Sequence, residues 1–330
     1  MTVLTPNEKL TGTTAQKQEI LERLTRFRTD PSRTLKLAGR YPHLRFVTLP
    51  ELLPNLADRD VFTQGVQLAR DRFAALGASE LLPFERVFVA VASATATWGG
   101  FHHRLLPYRA PDDSQTPGYR YVQAAAVISR YGDLTSESSS TPGVAGLDLL
   151  RAYVHDCHHY LTFRSYWLGA SGIHRHRHGI NYRRESGQTY SARDPEGSAS
   201  TRNLGIVMEG AFDREATAVV RETARTARIE CPADGPDRLA FLDATGNGPS
   251  APETGDSWLT AMNGYSRLVT VPYAAFLAEI GGPAADELHG RIVRATLTGD
   301  LAPLERWLDK RYGPGEFVAL FRSENYAQVA

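Results

Sequence analysis

The chain has very little cysteine. Its 330 residues include two, Cys157 and Cys231, and no Cys-x-x-Cys pair. That excludes a disulfide-stapled scaffold and suits a reducing, cytoplasmic setting. Long apolar runs are missing as well. No stretch of about 18 consecutive apolar residues occurs, so no membrane-spanning segment is expected. Met1 to Lys17 is polar and lacks the apolar centre of a secretory signal. Charge of one sign is also absent. Basic and acidic residues number 37 each, for a formal net charge of zero. No global field therefore recruits nucleic acid or an anionic membrane. Lysine is confined to Lys9, Lys17, Lys36 and Lys310, and arginine supplies nearly all the positive charge.

What remains is an ordinary globular composition, 42% hydrophobic and 22% charged. The length allows one large domain or two lobes. Residues 1–17 read as a polar, loosely ordered tail, and helices are expected over Gln18 to Phe27 and Asp58 to Leu76. Residues 1–80 thus form a helical N-terminal portion. Arg86 to Trp98 and Tyr119 to Ser129 are rich in Val, Ala and aromatics and read as strands. Gly132 to Gly143 is a polar loop. Residues 231–257 hold Gly, Pro and Asp in the density of a linker. Helices near 265–280, 284–297 and 302–312, with a last apolar piece at Phe317 to Arg322, form a C-terminal helical lobe over 258–330.

The densest chemistry lies between Asp148 and Trp167, expected as one helix. Leu150, Val154, Cys157 and Leu161 fall on a core-facing stripe. Cys157 on that stripe reads as a buried structural thiol. His155 and His159 are four apart and stack on another face, with His158 at its edge and Asp156 beside it. Two imidazoles one turn apart can grip one tetrahedral metal ion, and a carboxylate after the first can take a proton from the attacking water. This is the His-Glu-x-x-His pattern with Asp156 in place of Glu.

A second helix is expected over Asn203 to Arg228. Glu209 and Asp213 are one turn apart on a face of small, apolar residues. They read either as a surface pair near a helix start or as a third metal ligand with an acidic supporter. Between the two helices, His174, His176 and His178 alternate with arginines, and Ser186-Gly187-Gln188 suggests a hairpin. A strand would put three imidazoles on one face, either a second metal site or a solvated arm. Arg177, Arg183 and Arg184 could instead bind substrate carboxylates or phosphates.

These segments resemble, in order, the gluzincin group of zinc metallopeptidases. His155-Asp156-Cys157-His158-His159 matches the family's first motif. Glu209-Gly210-Ala211-Phe212 resembles the Glu-Gly-Phe stretch that gives its third ligand. Tyr265 to Gly282 resembles its C-terminal Tyr-bearing helix. The resemblance implies a zincin-like α+β domain over 81–230. In it His155, His159 and Glu209 hold Zn²⁺, Asp156 is the general base, and Asp213 and His158 support the ligands. Tyr265 or Tyr273 hydrogen-bonds the developing oxyanion. The strand near Tyr121 to Ser129 is the edge that pairs with an extended peptide. The expected reaction is hydrolysis of a peptide or related amide.

The departure is Asp156. Its carboxylate is one methylene shorter than that of Glu, about 1.5 Å further back. Either a repositioned helix compensates, or the metal serves another hydrolysis, or the fold survives as a binding module. A rival pattern is the HD-type metal phosphohydrolases and their oxygenase relatives. There His155 and Asp156 would both bind metal, with His102 or His103 upstream and Asp213 downstream, and Glu209 would not. A di-iron carboxylate site needs Glu-x-x-His pairs, and the sequence has none.

Overall fold

The computed structural model describes residues 4–5, 7–28, 44–56, 58–78, 80–93, 99–100, 125–128, 141–170, 172–183, 189–191, 193–247 and 265–322. In chain order the elements are β1 (Glu8–Leu10), α1 (Thr14–Arg28), β2 (Leu44–Thr48), α2 (Arg59–Ala75), β3 (Val87–Ser93), β4 (Gly99–Gly100) and β5 (Ala125–Ile128). Then come α3 (Val144–Leu161), β6 (Arg164–Gly169), β7 (Gly172–His178), β8 (Asn181–Tyr182), α4 (Leu204–Thr226) and α5 (Gly235–Ala244). The C-terminal part holds α6 (Val271–Phe276), α7 (Ala285–Thr298), α8 (Ala302–Tyr312) and α9 (Glu316–Arg322). Helix and sheet are mixed, as the α+β reading expects.

Among the described residues there are two small mixed sheets. One runs β1-β6-β7-β8, with β1 parallel to β6 and the rest antiparallel. The other runs β2-β3-β5-β4, with β3 and β5 parallel. One apolar core joins α2, α3, α4 and the C-terminal helices, with Phe62, Leu150, Val154, Phe212, Val220, Phe276 and Ile292 all fully buried. A smaller cluster of Ile20, Leu24, Tyr166 and Ile173 seats α1 on the first sheet.

Several expectations are corrected. The N-terminal portion is not purely helical, because β1 and β2 each enter a sheet. The helix expected to reach Trp167 ends at Leu161, and Arg164–Gly169 is a strand. The run Thr-Phe-Arg-Ser-Tyr-Trp is β-prone, and Thr162 leaves the helical region at its C-cap. The stretch expected as a linker contains α5, whose Ala240 and Ala244 are fully buried. β5 is not a free edge, since β4 occupies its outer side at Val127 and Ile128. The strand pairing expected there for a substrate is therefore blocked over those residues. The expected turn at 186–188 lies outside the described residues.

The helix expected near 265–280 is irregular. Ser266–Thr270 and Leu277–Gly281 are π turns on either side of α6. The run Ser266–Thr298 is long and apolar enough to cross a membrane by length and composition, contrary to the sequence expectation. However, its Tyr273, Phe276, Leu288, Ile292 and Val293 belong to the protein core.

A buried polar network ties this core together. Arg72 on α2 grips Glu215 on α4 with two hydrogen bonds, at 2.5 and 2.9 Å. The Glu215 carboxylate only accepts, so His289 on α7 presents its Nε2–H to it at 2.8 Å. The Tyr273 hydroxyl of α6 meets His289 Nδ1 at 2.8 Å. Burial alone would raise the Glu215 carboxyl. The hydrogen bonds from Arg72 and His289 outweigh it and hold that carboxyl well below the usual range. A depressed folded value means stability that is present above the unfolded pKa, 4.5, and lost as pH falls further. Glu215→Gln is expected to cost about 3 kcal/mol at pH 7, because it leaves Arg72 and His289 without their charged partner. The gap to wild type should narrow by up to about 1.4 kcal/mol per pH unit below the carboxylate range. Urea midpoints from pH 7 to pH 3 give the answer, and a constant gap would contradict it.

Candidate metal centre

α3 carries the two histidines and is fixed at both ends. Its N-terminus follows Gly143, whose φ of +91° suits glycine. There the Asp58 carboxylate accepts from the amides of Gly143 and Gly146, at 2.9 and 3.1 Å. Its C-terminus is covered by Arg164, which is 1% exposed. The guanidinium donates to the carbonyls of Tyr160, at 3.0 Å, and His159. An anion at the amino end and a cation at the carboxyl end both suit the helix dipole. Arg164 lies 4.0 Å from Glu8. Glu8 in turn accepts from the Tyr166 hydroxyl at 2.9 Å and the Thr5 amide at 3.0 Å. The N-terminal segment thus buttresses the histidine helix.

α4 carries the third group. The Asn203 side chain caps it, accepting from Gly205 and Ile206 amides. The Ser191 hydroxyl accepts from the Leu204 amide at 2.6 Å. Asp194 holds the Arg202 and Asn203 amides, at 2.7 and 3.2 Å. Gly210 lets α4 approach α6, since a Cβ there would lie 2.4 Å from the Tyr273 side chain.

The two helices bring three atoms together. His155 Nε2 and His159 Nε2 are 3.1 Å apart. Glu209 Oε2 is 3.3 Å from each. A tetrahedral ion with bonds of about 2.0–2.1 Å holds its ligands about 3.3 Å apart. The triangle has that size, and two imidazole nitrogens plus one carboxylate oxygen are a donor set zinc accepts. Among the described residues this is the group of His, Cys, Asp and Glu side chains that could hold a metal ion. The imidazoles are buried, while the Glu209 side chain is 34% exposed. Burial raises the Glu209 carboxyl, but the adjacent histidines outweigh it and hold it well below its ordinary value.

Phe212 wedges between the ligands from α4. Its ring stands edge-on to His159 at 4.9 Å and to His155 at 6.1 Å. His158 stacks on the other part of this wall, 5.3 Å from Phe212 and 4.5 Å from Phe73. Burial pushes the His158 pKa down to about 3, so it is a neutral packing group. Its Nδ1 has no hydrogen-bond partner. That corrects the expectation that it supports a ligand.

The tyrosines separate clearly. Tyr273 is engaged with His289, away from the triangle. The Tyr265 ring stands edge-on to His155 at 6.4 Å. Its hydroxyl is shielded from solvent and has no hydrogen-bond partner. Burial, with Asp213 and Glu209 adding to it, pushes this phenol well above its usual range, so it stays a neutral donor. Asp213 does not hold a ligand histidine. It accepts from Arg151 Nη2 at 2.6 Å and from the Thr270 hydroxyl at 3.2 Å. Asp156 is 1% exposed on α3 and is not one of the three converging groups.

The Arg177 guanidinium is engaged within its own sheet. Arg177 donates to the Gly179 carbonyl at 2.8 Å and lies over the rings of Phe163 and Tyr182. Arg183 forms a bridge with Thr189, and Arg184 lies outside the described residues, as do His102 and His103. A register shift at Ser165/Tyr166 leaves His176 without a partner on β6 and interrupts the alternation of His174, His176 and His178. Sequence reasoning missed Arg151, Thr270 and Phe212. Arg151 could have been found, being one turn before His155.

No known family model matches the chain, and neither a curated protein nor a solved structure matches it.

Protein equilibrated with zinc and dialysed is expected to retain about one ion per chain. Glu209→Ala should weaken retention by more than the roughly 10–100-fold that loss of a supporting hydrogen bond costs. Elemental analysis and chelator competition check both. Unchanged affinity in the variant would remove Glu209 from the site.

Proposed function

We propose that this centre is that of a zinc-dependent hydrolase acting on a peptide or related amide, on the pattern of the gluzincins. The observation that carries the reading is the triangle of His155, His159 and Glu209, sized for one tetrahedral ion. Zinc bound there would polarise a substrate carbonyl and lower the pKa of water towards about 7. The protein's own groups supply the rest. His155, His159 and Glu209 fix the site on two stiff helices. Asp156, next to His155 on α3, is the base that takes a proton from the attacking water and passes it to the leaving amine. Tyr265, a neutral phenol beside His155, donates to the oxygen where negative charge develops. The Phe212 wall keeps water from the buried side of the imidazoles.

The HD-type phosphohydrolase or oxygenase reading fits less well. It makes Asp156 a ligand and leaves Glu209 out, whereas Glu209 lies 3.3 Å from both imidazoles. The test is Asp156→Asn in a peptide-library cleavage assay with metal content measured alongside. The expected variant keeps its zinc and loses nearly all hydrolysis. Loss of metal together with activity would favour the HD-type reading. Full activity in the variant, or no cleavage by zinc-loaded wild type, would remove the peptidase reading and leave a binding module.

A further inference from the structure

A second layer of side chains lies one helical turn from the metal centre. Arg151 is one turn before His155 on α3. Asp213 is one turn after Glu209 on α4. Thr270 is one π turn after Tyr265, on the segment leading into α6. The three are joined: Asp213 Oδ1 accepts from Arg151 at 2.6 Å, and Asp213 Oδ2 accepts from Thr270 at 3.2 Å. The Asp213 side chain is 5% exposed and that of Arg151 24%, so this is not a loose surface pair. Asp243 on α5 lies 3.5 Å from the same guanidinium and balances its charge further.

We propose that Arg151, Asp213 and Thr270 are positioning residues that hold the Tyr265 side chain beside His155. The proposal rests on the hydrolase reading above, in which Tyr265 is the donor to the reacting oxygen. Each contact of the layer links two helices that also carry a residue of the centre, so the layer sets how those helices are turned against each other. The π turn matters here. Its bond runs from the Val271 amide to the Ser266 carbonyl, one residue longer than an α turn. That extra residue changes the phase by about 100°. It lets Tyr265 reach His155 while Thr270, at the other end of the same turn, reaches Asp213. Within the layer Thr270 is the member on the tyrosine's own segment. The layer therefore acts on Tyr265 through Thr270, while the Arg151–Asp213 contact and the caps of α3 and α4 stay in place when the Thr270 hydroxyl is removed.

That division gives the test. Thr270→Val removes the hydroxyl and keeps the shape, and Thr270→Ser keeps the hydroxyl. The first readout is ¹⁹F NMR of protein labelled with 3-fluorotyrosine, the Tyr265 resonance being assigned by its loss in Tyr265→Phe. We expect that resonance to shift towards the solvent-exposed position in Thr270→Val and to return in Thr270→Ser. Zinc affinity, read by competition with a chromophoric chelator, should stay within about twofold of wild type. With a peptide found in the cleavage assay, kcat should fall roughly tenfold or more with KM little changed, and Thr270→Val should add nothing in a Tyr265→Phe background. An unmoved resonance in Thr270→Val would overturn the proposal. So would a parallel loss of zinc affinity and thermal stability, or additive effects in the double variant. If the wild type neither binds zinc nor cleaves peptides, the hydrolase reading fails, while the NMR comparison still decides whether Thr270 holds Tyr265.

Discussion

Three polar atoms held about one tetrahedral edge apart must share protons or a cation, because bare lone pairs at that distance repel. His155, His159 and Glu209 are in that position, at 3.1 to 3.3 Å. A chain keeps such an arrangement only if the rest of the fold is stiff enough to impose it. Here the stiffness comes from two helices whose ends are fixed by charge. Asp58 binds the amino end of α3, and Arg164, backed by Glu8, binds its carboxyl end. α4 is capped by Asn203, Ser191 and Asp194 just before the turn that carries Glu209. Phe212 then fills the space beneath both imidazoles.

The supports come from distant parts of the chain. Glu8 lies on the first strand, and Arg72 on α2 reaches Glu215 on α4. The network from Arg72 through Glu215 and His289 to Tyr273 ties α2, α4, α7 and α6. It leaves Tyr273 as a packing and hydrogen-bonding residue against Gly210, next to the ligand Glu209. Polar groups in the interior therefore fall into two sets. One set is satisfied within the protein and fixes helix positions. The other is the triangle of His155, His159 and Glu209, whose polar atoms converge on one point from two helices.

The triangle was legible because helical periodicity is short-range: His155 and His159 are neighbours by spacing alone, and Glu209 opens a well-capped amphipathic helix. Features set by distant partners were not legible. Nothing near Asp213 tells whether it turns to a histidine or to Arg151, which lies on another helix. Tyr265 and Tyr273 share one apolar segment, and only the π turn and the position of His289 assign them different tasks. The end of α3 was placed late because Thr162 and Phe163 alone do not stop a helix, whereas Arg164 folding back onto the last carbonyls does. α5 was hidden by its Gly, Pro and Asp content. Arg177 was placed at the substrate because sequence does not reveal that a guanidinium lies over Phe163 and Tyr182.

The shorter side chain of Asp156 is where the geometry bears on the proposed hydrolase. Asp156 lies on α3 between the two histidine ligands. Sliding or turning α3 to push its carboxylate forward would carry His155 and His159 along and would open the triangle with Glu209. That triangle already has the tetrahedral dimension, and both ends of α3 are pinned by Asp58 and Arg164. A shift of α3 against α4 would therefore cost the triangle its size. In a hydrolase built on this centre the adjustment falls to groups that do not ride on α3. Tyr265 is a group so placed, standing beside His155 on the segment that Thr270 ties to Asp213 of α4.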